Sequence, residues 1–202
     1  MKKRGRFIVI EGIGGSGKDT QARLLAKYLK KEGLEIVLTR EHTRNTSLGR
    51  LIEAIIKGRK AKVDPLALQL LYVSDRRNHF MGVIKPSLEE GKTVIGNRYY
   101  STSVAYCPEI WRKVILELNQ KIVVRPDLVI IVDTSPEICN ERMEIRGGAD
   151  IFDKLKKARR CREGYLWYVK NSGDRCVVVN GNGTKEEVFE KVLKEIKKKK
   201  II

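Results

Sequence analysis

The chain has 202 residues and carries 42 Lys and Arg against 25 Asp and Glu, a formal net charge of +17 at pH 7. Its hydrophobic content of 42% is enough for a buried core and excludes general disorder. No apolar run approaches the roughly 20 residues of a membrane span.

The length suits one domain, residues 1–202, with a small appended lid. After the basic start, the first apolar run is only Phe7 to Ile10, shorter than the about 7–15 residues of a signal-peptide core. A cytoplasmic protein with no membrane partner is expected. The positive charge raises nucleic acid as a partner. Much of it, however, sits in helix-compatible runs such as KLKKARRCR near residue 160 and KEIKKKKII at the end, which read as a solvated basic surface. No helix-turn-helix, zinc-finger or RNA-recognition pattern accompanies it, so no specific nucleic-acid partner is expected. A positive field attracts small polyphosphates equally well. Cys107, Cys139, Cys161 and Cys176 lie far apart without a Cys-x-x-Cys spacing, which fits buried reduced thiols.

In chain order, RFIVIEG reads as a strand and KDTQARLLAKYLKKEG as a helix stopped by Gly33. LEIVLTR is a second strand and SLGRLIEAIIKG a helix. Asp64 is a candidate N-cap, with Pro65 at the first position of a long helix. KTVIGNR is a third strand, residues 101–120 are mostly helical, and PDLVIIVDT is an apolar fourth strand. Ser135 and Pro136 open the next helix. DRCVVVNG is a fifth strand, and Thr184 with Glu187 forms a capping box for the last helix. Strands alternating with helices predict a parallel sheet covered on both faces. Ligands then bind beyond the carboxyl ends of the strands.

The first strand runs into Gly12-Ile13-Gly14-Gly15-Ser16-Gly17-Lys18. Glycines let successive N–H groups form an anion nest, and the following helix adds its positive end. Gly-x4-Gly-Lys between a strand and a helix is the phosphate-binding loop pattern, with Lys18 reaching the outer phosphates. The next residue is ordinarily Ser or Thr and ligates Mg2+; here it is Asp19. A carboxylate is also a hard oxygen donor, and an acid in a first helical turn is favoured by the dipole regardless. Thr20 points about 100° away around the helix.

The chain resembles the thymidylate kinases, P-loop nucleoside monophosphate kinases, from about Phe7 to Ile196. FIVIEGIGGSGKDTQ is similar to that family's first strand and P-loop. LYVSDRR resembles the segment in which an aromatic stacks on the base, implying that Tyr72 stacks and Arg76 reads the base. NRYYSTSVAY resembles the Asp-Arg-Tyr motif and its downstream Ser/Ala/Tyr segment. The resemblance implies that Arg98 clamps the acceptor phosphate, Thr102 and Ser103 line the base, and Tyr106 packs where a ribose 2′-hydroxyl would sit. RPDLVIIVDTSPEICNERMEIRG is similar to the fourth strand and arginine-bearing lid, implying Arg142 and Arg146, with the lid at about 142–155. Arg44, in TREHTRNTSLG, falls where some members bind phosphate. The implied fold is a three-layer P-loop α/β domain with sheet order 2-3-1-4-5. The implied activity is ATP- and Mg2+-dependent phosphorylation of dTMP by a homodimer, with Lys18, Arg98 and Arg146 catalytic.

Departures cluster at the chemical centre. Gly14 stands where the family usually has Asp, Asn97 where it has the acid before Arg98, and Cys107 where Gln is common. The lid's Asp-Arg pair becomes Asp150-Ile151. One carboxylate is lost at Asn97 and one gained at Asp19, which predicts that Asp19 takes over metal anchoring. Two other readings stay open: a kinase for another nucleoside monophosphate such as UMP, and a catalytically weak nucleotide-binding paralogue acting as sensor or partner protein.

Overall fold

The computed structural model describes residues 4–144 and 151–201. β1 (Phe7–Glu11) leads through the glycine loop into α1 (Lys18–Lys31). β2 (Ile36–Arg40), α2 (Ser47–Ile56) and α3 (Pro65–His79) come after it. α3 continues through a π-helical turn, Phe80–Ile84, into α4 (Lys85–Glu89). β3 (Thr93–Asn97), α5 (Tyr100–Tyr106) and α6 (Arg112–Ile122) come next. β4 (Leu128–Asp133), α7 (Pro136–Glu144), α8 (Ile151–Asn171), β5 (Cys176–Asn180) and α9 (Lys185–Lys198) complete the described order.

The strands form one parallel sheet in the order β2-β3-β1-β4-β5, as expected. Side chains of a strand alternate between faces, so each central strand feeds two cores. Phe7 and Val9 of β1 join Val94, Val129 and Ile131 beneath α5, α6 and α8, with Tyr99, Tyr100, Tyr165 and Tyr168. Ile8 and Ile10 join Ile95, Ile130 and Val132 beneath α1 and α9, against Leu25, Leu29, Val192 and Ile196. Each of those buried aliphatic side chains contributes about 1.5–3 kcal/mol. Covering both faces is why β1 and β4 read as nearly continuous apolar runs.

The caps sit where the sequence predicts them. The Asp64 side chain accepts from the N–H groups of Leu66 and Ala67 at 2.8 and 3.2 Å, and Thr184 and Glu187 form the reciprocal capping box. The thiols of Cys107, Cys139 and Cys161 are buried and unpaired; burial pushes Cys107 and Cys139 up to about 11, which suits inert structural residues.

Parallel register brings the strand ends together. Asn97 sits opposite both Ile10 and Arg40, and Asp133 opposite Asn180. Glu11, Arg40, Asn97 and Asp133 therefore share the carboxyl edge of the sheet, where the glycine loop also leaves it.

Candidate active site

The loop after β1 wraps tightly enough to need its glycines. Gly15 has a φ of +79°, and a Cβ there would lie 2.3 Å from the Cys139 carbonyl oxygen on α7. Gly17, also left-handed, occupies the N-cap of α1 without offering a side-chain cap. No N-cap side chain therefore stands between the positive end of α1 and an anion in the loop. At Gly14 a Cβ would meet Met143 Sδ at 3.1 Å, so Met143 takes the space that a side chain at 14 would fill.

Lys18 is buried beneath this loop, its Nζ 3.4 Å from the Ile13 carbonyl oxygen and 3.3 Å from Asp19 Oδ2. Burial and then the nearby Arg98 charge bring the ammonium down to about 8, against the pull of Asp19 and Glu11. The unfolded chain therefore binds the extra proton in the window above about 8, and the free protein gains stability as pH rises there. Bound phosphates favour the charged ammonium. ADP binding is accordingly expected to take up a proton and to weaken as pH rises through about 8. Calorimetry in two buffers of different ionisation enthalpy measures both effects; a pH-independent affinity across that range would contradict them.

Asp19 and Asn97, far apart in sequence, meet at the mouth of the loop. Asn97 Nδ2 donates to Asp19 Oδ1 at 2.6 Å. Burial alone would raise the Asp19 carboxyl, but Lys18, the Asn97 amide and Arg40 together bring it down to about 2. It is ionised at neutral pH. Asn97 Oδ1 is buried and has no partner. An anionic carboxylate beside an unpaired amide oxygen is a donor set that fits Mg2+, which takes one or two carboxylates and completes its shell with phosphate oxygens and water. Among the described residues no group of three or more His, Cys, Asp or Glu could hold a metal.

Two cavities flank this centre. The first, about 840 Å³, is lined by Gly15, Ser16, Gly17, Asp19 and Thr20 on one side and by the β5–α9 turn on the other. Arg142 spans it, with Nη2 donating to the Gly183 carbonyl at 3.0 Å. The second, about 460 Å³, is lined by Tyr72 and Arg76 from α3 and by Arg98, Thr102, Ser103 and Tyr106. Arg98 directly succeeds β3 and has a φ of +73°. Its Nη1 donates to Thr102 Oγ1 at 3.1 Å and Tyr165 OH at 3.3 Å, and its guanidinium lies 5.7 Å from the Tyr106 ring centroid. Arg76 is buried: Nε donates to Glu41 at 2.6 Å, Nη1 to Asn119 at 2.7 Å, and Nη2 to Ser103 Oγ and the Tyr99 carbonyl.

Arg44 stands apart from both cavities, exposed beside Arg50, Glu53 and Arg59. Arg146 and Asp150 lie outside the described residues, as does the Ile151 side chain. Other residues enter the site unannounced by any motif. Arg40, at the end of β2, lines both cavities. Lys157 and Arg160, from the run read as a solvated basic face, line the second; they lie three apart, on one face of α8. Glu11 anchors the segment after β3 through four hydrogen bonds and accepts a fifth from Tyr165 on α8. A Glu at the end of an apolar strand was the one available signal.

A family model described as thymidylate kinase matches residues 10–192. A probable thymidylate kinase from Thermococcus gammatolerans is 41% identical over 174 residues, covering 80% of this chain and 82% of the relative. A thymidylate kinase from Caldicellulosiruptor saccharolyticus is 38% identical over 201 residues, 96% of each chain. The crystal structure of thymidylate kinase from Ehrlichia chaffeensis superposes with a TM-score of 0.76 at 30% identity, over 96% of this chain and 99% of that one. With a P-loop at the switch point of a 2-3-1-4-5 sheet and a second cavity beside it, this chain belongs to the thymidylate kinase family.

Proposed function

We propose that this chain is a cytoplasmic dTMP kinase of nucleotide biosynthesis, transferring the γ-phosphoryl group of ATP to dTMP and releasing dTDP and ADP. The observation that carries this reading is the pair of cavities that share Arg40, one lined by Asp19 and the other by Arg98, with buried Lys18 feeling the charge of both. Phosphoryl transfer between two nucleotides needs two pockets opening on one phosphate-binding centre, and positioning with charge neutralisation does most of the catalysis.

In this reading ATP lies in the larger cavity, its phosphates on the N–H groups of the glycine loop and Lys18, with Arg142 over the nucleoside end. Ser16 and Thr20 complete the wall around the phosphates. The acceptor lies in the smaller cavity, Tyr72 against the base and Arg76, Thr102 and Ser103 along it. Tyr106 closes the sugar side. Arg98 holds the acceptor phosphate for in-line attack, and Arg146 of the lid completes the positive charge around the transferring group. Asp19 and Asn97 would hold Mg2+, which would supply positive charge against the transferring phosphoryl group. Arg44, exposed and apart from both cavities, would reach the acceptor phosphate only on a movement of its loop.

A homodimer packed through helices belongs to this reading; exposed Leu70 of α3 and Val114 of α6 lie on neighbouring helices. The test of function is ADP release from ATP and Mg2+ with dTMP, dUMP, UMP, dCMP, CMP, dGMP and dAMP supplied separately. The expected result is the highest kcat/KM with dTMP. A preference for UMP moves the reading to another monophosphate kinase. ATP binding without turnover on any acceptor moves it to a binding paralogue.

A further inference from the structure

Gln69 lies on α3 one turn before Tyr72 and two turns before Arg76, so the three share a face. All three line the smaller cavity. Gln69 is only 4% exposed, and its Oε1 is buried with no hydrogen-bond partner. The neighbouring Arg76 and Ser103 are engaged within the protein. Four of the five N–H groups of Arg76 are directed at Glu41, Asn119, Ser103 and the Tyr99 carbonyl. The Ser103 hydroxyl already receives one of them. Gln69 therefore brings hydrogen-bonding capacity to the cavity that the protein itself leaves unused.

A buried amide oxygen without a donor is a net cost to the free protein. Such costs persist where a ligand supplies the missing partner. An amide presents an acceptor beside a donor. The complementary edge of a ligand is an N–H beside a carbonyl, which is the N3–H and adjoining carbonyl of a thymine or uracil ring. Cytosine presents an unprotonated N3 beside an amine. Gln69 can rotate its amide to suit that edge, but Arg76 has no acceptor to offer an amine. A base bound by this pair is therefore read as an imide.

We infer that Gln69 is a specificity-determining residue of the acceptor site, its amide oxygen accepting the N3–H of the pyrimidine base. This rests on the proposal that the smaller cavity holds a pyrimidine monophosphate. The role differs from a structural one in a measurable way. A structural glutamine stabilises the fold and its loss lowers Tm. An unpaired glutamine replaced by an apolar residue of similar volume leaves Tm unchanged or raises it, while ligand affinity falls.

The test measures dTMP and 3-methylthymidine monophosphate binding by calorimetry in the wild type, Gln69→Leu and Gln69→Met, with a thermal melt of each ligand-free protein. The expected result is at least about a tenfold loss of dTMP affinity in both variants. The wild type should disfavour the N3-methylated analogue by a similar factor, and the variants should no longer discriminate. Free-protein Tm should not fall. Wild-type dTMP affinity in the variants, or undiminished discrimination by them, overturns the inference while leaving the function intact. Both variants melting well below the wild type also overturns it, since the residue is then structural. A wild type that does not bind dTMP at all overturns the reading of the cavity itself, and this inference with it.

Discussion

Glu11→Ala is expected to lower the stability of the folded protein by about 3–5 kcal/mol. Glu11 is fully buried at the end of β1. Its Oε1 accepts from the Tyr99 N–H at 2.7 Å, Ser101 Oγ at 2.6 Å and the Thr102 N–H at 3.2 Å. Its Oε2 accepts from Thr102 Oγ1 at 2.7 Å and Tyr165 OH at 2.8 Å. Truncation leaves two backbone N–H groups buried without an acceptor and removes the negative charge nearest Arg98, a loss in low dielectric. Glu11→Gln should cost less, about 1–2 kcal/mol. Its amide oxygen can keep the three donors at Oε1, while its NH2 turns toward hydroxyls that can accept.

Urea denaturation of the three proteins measures this, with the slope m expected to stay constant. For a chain of this size the Ala variant should melt about 10 °C lower. Thr102 and Tyr165 also hold the Arg98 guanidinium, so the acceptor KM should rise more than the ATP KM. A stability loss below about 1 kcal/mol would show that the cluster is satisfied in another way.

The larger effect on turnover belongs to Asp19. Asp19→Ala is expected to reduce kcat/KM by about 10²–10³, with a higher Mg2+ requirement. The described residues place a single carboxylate at the loop mouth, and Asn97 donates to it at 2.6 Å. Asn97→Asp alone sets a second carboxylate at that distance. Two such groups cannot both ionise without strong repulsion, and one pKa rises. The variant should therefore lose activity although it restores the family's usual acid.

Asp19→Thr combined with Asn97→Asp returns one carboxylate and one neutral group to the pair. It should be more active than either single substitution. The four proteins form a double-mutant cycle, read as kcat/KM against Mg2+ concentration. A second readout is the Mg2+ dependence of ADP binding, which needs no turnover. Losses that simply add across the cycle would mean that the two positions do not share a function.

The strands, the caps and the phosphate loop were legible in the sequence by itself, because each is encoded locally, whereas the sheet order was what the family resemblance implied. The apolar runs of β1 and β4, Asp64 before Pro65, and Thr184 three residues before Glu187 need only neighbouring residues to be read. Gly-x4-Gly-Lys carries its own geometry, since a glycine at φ > 0 and a helix start are properties of adjacent dihedrals. That one carboxylate is lost at Asn97 and one gained at Asp19 was also legible, as a balance of charge.

Tertiary structure alone decided which distant side chains touch. Glu11 meets Tyr165 across 154 positions of sequence, because a Cβ at Gly164 would lie 2.4 Å from the Ala105 carbonyl and its absence lets α8 approach α5. Lys157 and Arg160 read as solvated charge until the path of α8 turned one face of it toward the cavity. Arg76 was implied as a base contact, but Glu41 and Asn119, from separate elements, became visible as its partners only in the fold. Gln69 carried no pattern at all. A hydrogen bond left unmade is a property of everything packed around a group, and no local stretch of chain contains it.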